Sequence, residues 1–417
     1  MQPPPLKNDC FALPRGVEWV PVDTALSHLK QSLTPVTASE TIETSQAVGR
    51  FLAADAIAVR SNPPAPNSAV DGYGFAGGAT DGPMKLPLVP GRAAAGLAID
   101  GSVPKAHAIR ILTGAILPDG VDTVVLEEDV NSDDHQIAFN GPLKQGANTR
   151  KAGEDVKTGE VIARQGSKLR PQELAILSAC GVEHVAVHRR LRVGVLSTGD
   201  EVRALGEDVS DDKIYDANRP MLLSLVEGWG YDAVDLGKSP DDRAVLRSIL
   251  DDAVSKVDVI LTSGGASAGD EDHVSALLNE AGRMEKWRIA LKPGRPLALG
   301  LWQGVPVFGL PGNPVAAFVC TLIFAEPSFR LLAGGDWRSP KGFLVPARFE
   351  KNKKPGRREY LRARLSEDGQ AEVFKSEGSG RISGLAWADG LVELPDQAVK
   401  VTHGTLVRYL PFTAFGQ

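Results

Sequence analysis

The chain has 417 residues, 44 of them glycine and 29 proline, so about one residue in six is a turn former, against roughly one in eight in an ordinary globular chain. With 42% apolar and 24% charged residues it can bury a large core, its length predicts two to four domains, and a single long coiled coil is excluded. A net charge of −6 excludes bulk attraction to nucleic acid or an anionic membrane, so an anionic ligand must be held by local clusters.

Met1 to Pro5 is proline-rich, with no basic region leading into an apolar run, so no signal peptide is expected. Cys10, Cys180 and Cys320 match no metal or redox spacing and are expected to be buried thiols of a cytoplasmic protein. Residues 1–39 are expected to form an N-terminal segment and a helix packing on an α/β domain. Residues 40–57 and 157–189 read as two halves of a linker domain, with a helix near Pro171 to Cys180. Residues 58–156, rich in Gly and Pro with short runs such as Ile109 to Leu112 and Thr123 to Leu126, read as an inserted β domain.

Two motifs in this half fail on their surroundings. Gly72, Gly74 and Gly77 form a literal G-x-G-x-x-G, but prolines precede it and Gly78, Gly82 and Pro83 stand where a helix should start, so a dinucleotide site is not expected. His184 and His188 alternate with Val185 and Val187, which predicts a strand; four residues then span about 13 Å, too far to chelate, and both are expected at the surface.

Residues 190–339 carry the clearest pattern. Val193 to Leu196, Ala233 to Leu236, Val257 to Leu261, Ile289 to Leu291, Leu297 to Leu299 and Val305 to Phe308 read as strands. Between them, Asn218 and Pro220 open one helix and Asp241 and Asp242 another, whose apolar residues include Val245, Leu246, Ile249 and Leu250. This alternation predicts a parallel α/β sheet covered on both faces. Gly237, Lys238 and Ser239 resemble a P-loop end, but Asp232 occupies the first glycine position, so a strand-to-helix turn is expected. Val315 to Ala325 is too short to span a bilayer and predicts a buried helix.

Ligands of such sheets bind outside the carboxyl ends of the strands. The strands are succeeded by Ser197 to Glu201, then Gly237 with Asp241, then Ser263, Gly264 and Gly265 with Asp272, then Gly309 to Pro314. Ser263 to Gly265 can form a nest of backbone N–H groups. Asn313 followed by Pro314 is a cap that aims a helix N-terminus into the crevice. Both features bind phosphate, and Glu201, Asp241 and Asp272 can face it only across a cation, for which Mg²⁺ is the usual solution. Arg288, Lys292 and Arg295, with Pro293 and Pro296 shaping the loop, predict an oxyanion site. Residues 340–417 read as a small C-terminal β domain, where the cations from Lys351 to Arg364 are expected on a solvated face, with phosphate contact as the alternative.

Asn67 to Tyr73, Thr113-Gly114-Ala115 with Pro118, Gly153-Glu154-Asp155, Ser197 to Glu201, Ser263-Gly264-Gly265, Lys292-Pro293-Gly294 and Gly309 to Pro314 together resemble the molybdopterin molybdenumtransferases, including the E domain of gephyrin. The resemblance runs in order from about Val22 to the C-terminus. It implies a multidomain α/β plus β architecture and an elongated homodimer of four-domain subunits with a shared active site. It also implies a reaction in which adenylylated molybdopterin and molybdate yield molybdenum on the dithiolene, with Mg²⁺ required and AMP released. Carried over by position, Asp71, Thr113 and Asp155 come from the β-domain side, and Glu201, Asp241, Asp272, Arg288, Lys292, Pro311 and Pro314 from the α/β side. The molybdopterin adenylyltransferase is a further candidate partner. The pattern departs at Val70, where methionine is usual, at Ala65-Pro66 for Phe-Asp, at Ala266 and Ala268 for valines, and at Arg288 for lysine. Two alternatives are a molybdopterin adenylyltransferase, which shares the Ser-Gly-Gly module but neither β domain, and a non-catalytic scaffold, which would lack the acidic crevice residues.

Overall fold

The computed structural model describes residues 19–264, 273–281, 284–294 and 296–416, and these fall into two compact units: 40–187, and a second formed by the N-terminal segment to Ser39 with 188–417. Helix α1 (Val22–Ser32) buries Val22, Ala25 and Leu29, one per turn, and belongs to the second unit, where it packs against a late helix of the α/β region.

In the 40–187 unit the flanking segments pair with each other: Ala56–Ile57 runs antiparallel to Val161–Ala163, and Leu52 bridges to Val187. Leu52, Leu169, Leu177 and Val185 form their core, with helix α2 (Pro171–Ala179) starting on a proline at its first position, where no backbone donor is needed. Between them lies a six-stranded sheet of β1 (Gly72–Phe75), β2 (Ala79–Ala93), β3 (Ala108–Ile111), β4 (Thr123–Leu126), β5 (Asn131–Ser132) and β6 (Gln136–Leu143), in the order β4-β1-β3-β2-β6-β5. Strand β2 carries Pro83, Pro87 and Pro90, and it survives them by changing partner: antiparallel to β6 through Pro87, parallel to β3 from Leu88. Gly72 and Gly74 sit inside β1, where a side chain on Gly72 would meet the Val125 carbonyl at 1.9 Å, so sheet packing accounts for a glycine there.

The second unit contains a mixed sheet made of β7 (Arg192–Thr198), β8 (Asp232–Ser239), β9 (Val259–Ser263), β10 (Met284–Arg288), β11 (Pro296–Trp302) and β12 (Val305–Leu310), ordered β8-β7-β9-β12-β11-β10. The first four positions are parallel, and β7 and β9 are buried along almost their whole length, as strands covered on both faces must be. The expectation of an all-parallel sheet is corrected at β11 and β10. Only Gln303 and Gly304 separate β11 from β12, so β11 runs antiparallel to β12, and β10 runs antiparallel to β11 in turn. Helices α3 (Asn218–Gly228), α4 (Arg243–Ala253) and α5 (His273–Glu280) cover this sheet, α4 being capped by Asp242, whose carboxylate accepts from the N–H groups of Ala244 and Val245. Val245, read as apolar core, is 40% exposed.

Three other local expectations change. Gly237 lies in a bulge inside β8, where the pairing with β7 shifts register, and does not form the turn to α4. The run Ile289 to Leu291 is not an α/β strand, since Leu291–Lys292 pairs with the C-terminal sheet while Met284–Arg288 supplies the edge strand. His184 and His188 do lie on a strand, His184 exposed, but His188 is half-buried: it packs against Gly334, and its Nδ1 lies 3.1 Å from the Thr37 carbonyl.

The apolar run after β12 is the buried helix α6 (Pro314–Cys320), continued by one π-helical stretch, Thr321–Ala325, into α7 (Glu326–Leu332), on which α1 packs. Among the described residues only Pro314–Leu332 is apolar and long enough to cross a membrane, and 83% of its most apolar stretch is buried inside the protein. The C-terminal sheet orders Leu291–Lys292 beside β14 (Arg358–Leu365), β15 (Gly390–Leu394), β16 (Leu406–Pro411) and β13 (Phe343–Pro346), over a core that includes Val345, Leu361, Val392 and Tyr409.

Candidate functional site

Four loops leave the parallel strands at one edge of the mixed sheet, in the order β8, β7, β9, β12. After β7, Thr198 is followed by Gly199 (φ +132°), which leaves room for the Glu201 carboxylate: a side chain at 199 would lie 2.3 Å from its Oε2. Glu201 and Asp200 are exposed. Asp200 and Asp241 tie the first two loops together. The Asp200 N–H donates to the Asp241 carboxylate at 3.0 Å, and the Asp241 N–H to the Asp200 carboxylate at 3.2 Å. After β9, Gly264 has φ +96°, and a side chain there would lie 2.7 Å from Thr198 Oγ1.

The polar hub of this edge is Asn218, which the sequence marked only as a helix opener. Its amide nitrogen donates to Ser263 Oγ at 2.6 Å and to the Gly312 carbonyl at 2.7 Å, joining the ends of β9 and β12, and it is 8% exposed. Asp216 supports it by accepting from the backbone N–H groups of Asn218 and Arg219. The available sequence signal was the Asp-x-Asn spacing at a helix start, which caps equally well without any ligand.

The anion-binding groups expected here are partly engaged elsewhere. The Gly264 N–H donates to the Leu310 carbonyl, and the Ser263 hydroxyl accepts from Asn218. Asn313 makes no side-chain cap: its Oδ1 faces Gly380, and the Val315 N–H reaches the Ser379 carbonyl at 3.4 Å, so a C-terminal loop covers the start of α6. Pro314 takes the first helical position as expected, and Pro311 packs beside Gly294. Gly265, Asp272 and Arg295 lie outside the described residues, as does the side chain of Arg288.

Lys292 opens a second feature, a cavity of about 200 Å³ between the α6 start and the C-terminal sheet, lined among others by Val315, Lys351, Arg362, Ser376 and Glu377. Gly294 (φ +98°) brings the loop onto α6, where a side chain would lie 2.9 Å from Cys320 Sγ; burial pushes that thiol up to about 12. The expected solvated face is corrected here. Arg362 is 4% exposed, donates to the carbonyls of Arg381, Ser376 and Gly378 and stacks on Phe374, because the 376–381 loop folds over its guanidinium. Lys353 is also buried, and desolvation holds its ammonium below its ordinary value. The aromatic residues flanking this segment, Phe349 and Phe374, were the signal that its cations lie against a packed surface.

In the 40–187 unit, Asp71 stands before β1 and Thr113 after β3. One Asp71 oxygen accepts from both the backbone N–H and the hydroxyl of Thr113, each at 2.6 Å, and these bonds hold its carboxyl below the ordinary range. Asp155 is exposed and accepts from Asn62 at 3.0 Å.

Among the described residues no three His, Cys, Asp or Glu side chains converge on a metal position. Glu201 and Asp241 nevertheless offer hard carboxylate oxygens on loops joined through Asp200, with no thiol or imidazole among them. That donor chemistry fits Mg²⁺, which binds one or two carboxylates together with substrate phosphates.

Comparison with known proteins now adds the family. Residues 20–181 match the MoeA N-terminal region (domain I and II), 194–330 the probable molybdopterin binding domain, and 345–412 the MoeA C-terminal region (domain IV). A molybdopterin molybdenumtransferase of Haemophilus influenzae is 35% identical over 398 residues, covering 94% of this chain and 98% of that one. Molybdopterin molybdenumtransferase 2 of Mycobacterium tuberculosis H37Rv is 32% identical, over 89% of this chain and 95% of its own. Among solved structures, the molybdopterin biosynthesis MoeA protein of Pyrococcus horikoshii OT3 superposes with a TM-score of 0.81 at 29% identity, over 94% of this chain and 100% of that one. The fold is thus that of a multidomain transferase with mixed sheets and a C-terminal domain. The chain belongs to the molybdopterin molybdenumtransferase family, and it is an enzyme of molybdenum cofactor biosynthesis.

Proposed function

We propose that this enzyme transfers molybdenum from molybdate to adenylylated molybdopterin and releases AMP, with Mg²⁺ as cofactor, as a cytoplasmic homodimer with a shared active site. The observation that carries the reading is the placement, within one unit, of an oxygen-donor edge beside a lysine-lined cavity. The cavity wall includes Val315, next to the Pro311–Pro314 loop that closes the edge.

On this reading the dithiolene substrate lies along the carboxyl edge, over Ser263, Gly264 and Pro311, with Asn218 holding the β9 and β12 loops at fixed separation. Glu201 and Asp241, with Asp272, would hold Mg²⁺, which when bound neutralises charge on the phosphates. Molybdate, an anion, is bound by the cations of the Lys292 cavity, where Lys351 joins the expected Lys292; Arg288 is kept as a proposed molybdate or phosphate contact, its side chain lying outside the described residues. Arg362 does not need to touch it: its guanidinium fixes the loop that forms the cavity wall. Asp71, Thr113 and Asp155 complete the shared site across the dimer, contributed by the β domain of the other subunit, Asp71 as a charged carboxylate because Thr113 stabilises its ionised form. Catalysis is then mainly positioning and charge neutralisation. Coverage of both β regions by matching family regions favours this reaction over adenylyl transfer. The test is AMP release from adenylylated molybdopterin with Mg²⁺, with and without molybdate. Release that depends on molybdate is expected, whereas formation of adenylylated molybdopterin and pyrophosphate from ATP and free molybdopterin, with no molybdate-dependent AMP release, would replace the proposal with adenylyl transfer.

A further inference from the structure

The Lys292 cavity already contains an anion of its own. Lys292 Nζ donates to Glu377 Oε2 at 2.6 Å, and Lys351 Nζ donates to the other oxygen of the same carboxylate. Behind them Glu359 lies 3.8 Å from Lys292 and 3.1 Å from Lys351, closing a ring of two lysines and two glutamates.

The two glutamates are held differently. Glu359 is 8% exposed and sits within β14, paired with Leu394 of β15, so it is part of the wall. Glu377 is 42% exposed and sits on the loop after Ala371–Val373. The backbone of that loop is pinned, since the carbonyls of Ser376, Gly378 and Arg381 accept from Arg362 and that of Ser379 from Val315. The Glu377 side chain is the more exposed partner, 42% against 14% for Lys292 and 12% for Lys351, so it is the member of each pair with room to turn toward solvent. Burial raises the Glu377 carboxyl, but the hydrogen bonds from Lys292 and Lys351 outweigh it and hold the group below its ordinary value, so it is ionised at neutral pH.

We propose that Glu377 is the gate of the oxyanion cavity: its carboxylate occupies the anion position between Lys292 and Lys351 and must leave both lysines for a tetrahedral dianion to enter. This rests on the proposal that the cavity takes molybdate. The ring is neutral with Glu377 in place and carries one net positive charge with it withdrawn, so oxyanion binding and the Glu377 contacts exclude each other. Glu377 thereby weakens the apparent oxyanion affinity and admits only an anion able to replace two ion pairs. Two partly exposed pairs together correspond to about a tenfold change in affinity.

The test is calorimetric titration of the full-length protein with sodium molybdate, comparing the native chain with Glu377→Gln, Glu372→Gln and Lys351→Met. Glu372 pairs with Arg348 and Arg364 and does not line the cavity, so its variant controls for net charge. Expected are about tenfold tighter binding in Glu377→Gln, no change in Glu372→Gln and loss of binding in Lys351→Met. Equal or weaker binding in Glu377→Gln, with Lys351→Met still deficient, overturns the gate and leaves the cavity as the molybdate site. Molybdate binding unaffected by Lys351→Met, or absent from every form, overturns the cavity assignment itself. Glu377→Gln keeps the size of the side chain at an exposed loop position, and its melting temperature, matched to the native chain, establishes that it is folded.

Discussion

Replacing Gly264 by alanine should cost the protein more stability than the same change at Gly237. Both glycines follow or interrupt strands of the mixed sheet with left-handed backbone, φ +96° and +77°. A non-glycine residue in that region pays about 1–2 kcal/mol wherever it stands. At Gly237 nothing lies within 4 Å of the new carbon, so that is the whole cost. At Gly264 the methyl would lie 2.7 Å from Thr198 Oγ1 and 2.9 Å from the Thr198 carbonyl oxygen. The hydroxyl can rotate away, but the carbonyl ends β7, whose Thr198 pairs with Ser239, and cannot shift without opening the ladder. Forcing an extra carbon into such a contact adds about 1–3 kcal/mol, so Gly264→Ala should lose about 2–5 kcal/mol against about 1–2 for Gly237→Ala. Urea unfolding followed by circular dichroism reads the difference as a shift in midpoint at constant slope. Equal losses at the two positions would refute the claim that Thr198 and Gly264 are packed backbone to backbone.

Asn218→Ala should cost about 2–4 kcal/mol in the same assay, because Ser263 Oγ and the Gly312 carbonyl lose their donor in a buried setting; a loss under about 1 kcal/mol would remove Asn218 as the hub. Asp241→Asn keeps an acceptor for the Asp200 N–H while removing the charge, so turnover should fall by roughly a hundredfold with melting unchanged; native turnover in that variant would exclude a metal or phosphate role. Asp258 accepts from Arg189 and Arg192; burial raises its carboxyl, yet those hydrogen bonds prevail and hold it below the ordinary value. A depressed folded value means its stabilisation is present above the unfolded value of about 3.9 and is lost as pH falls through the folded one. Asp258→Asn should therefore lose about 2–3 kcal/mol at pH 7, discounted for the partly exposed arginines, with the gap closing in acid below about pH 4. A gap independent of pH would show that the ion pairs do not carry it.

How much of the fold was legible in the sequence depends on which physical rule each segment obeys. β7 and β9 are unbroken apolar runs and α4 has an acidic cap before an amphipathic stripe, so local pattern and tertiary role agree. β2 was hidden because three prolines argue against a strand, and only the switch of pairing partner accommodates them. The antiparallel edge was hidden because an apolar run carries no direction. At the candidate site, the rule that ligands lie at the carboxyl ends of strands is enough, applied to the sequence, to bring Asp241, Ser263 and the 311–314 loop to one edge. It could not find Asn218 or Arg362, whose roles lie in what their side chains reach: one joins two strand ends 45 and 94 residues away, the other pins a loop beyond its own strand. In the sequence Gly264 stands out for a backbone N–H open to an anion, yet its importance is steric, since that N–H is given to Leu310.

The measurement that bears most directly on the function is a single-turnover count of AMP against molybdate, using the purified full-length protein, adenylylated molybdopterin and Mg²⁺. AMP should appear only when molybdate is present, rise to one equivalent per bound substrate, and be accompanied by molybdenum retained on the released pterin. AMP release at the same rate without molybdate, or none with it, would contradict molybdenum transfer as the reaction of this enzyme.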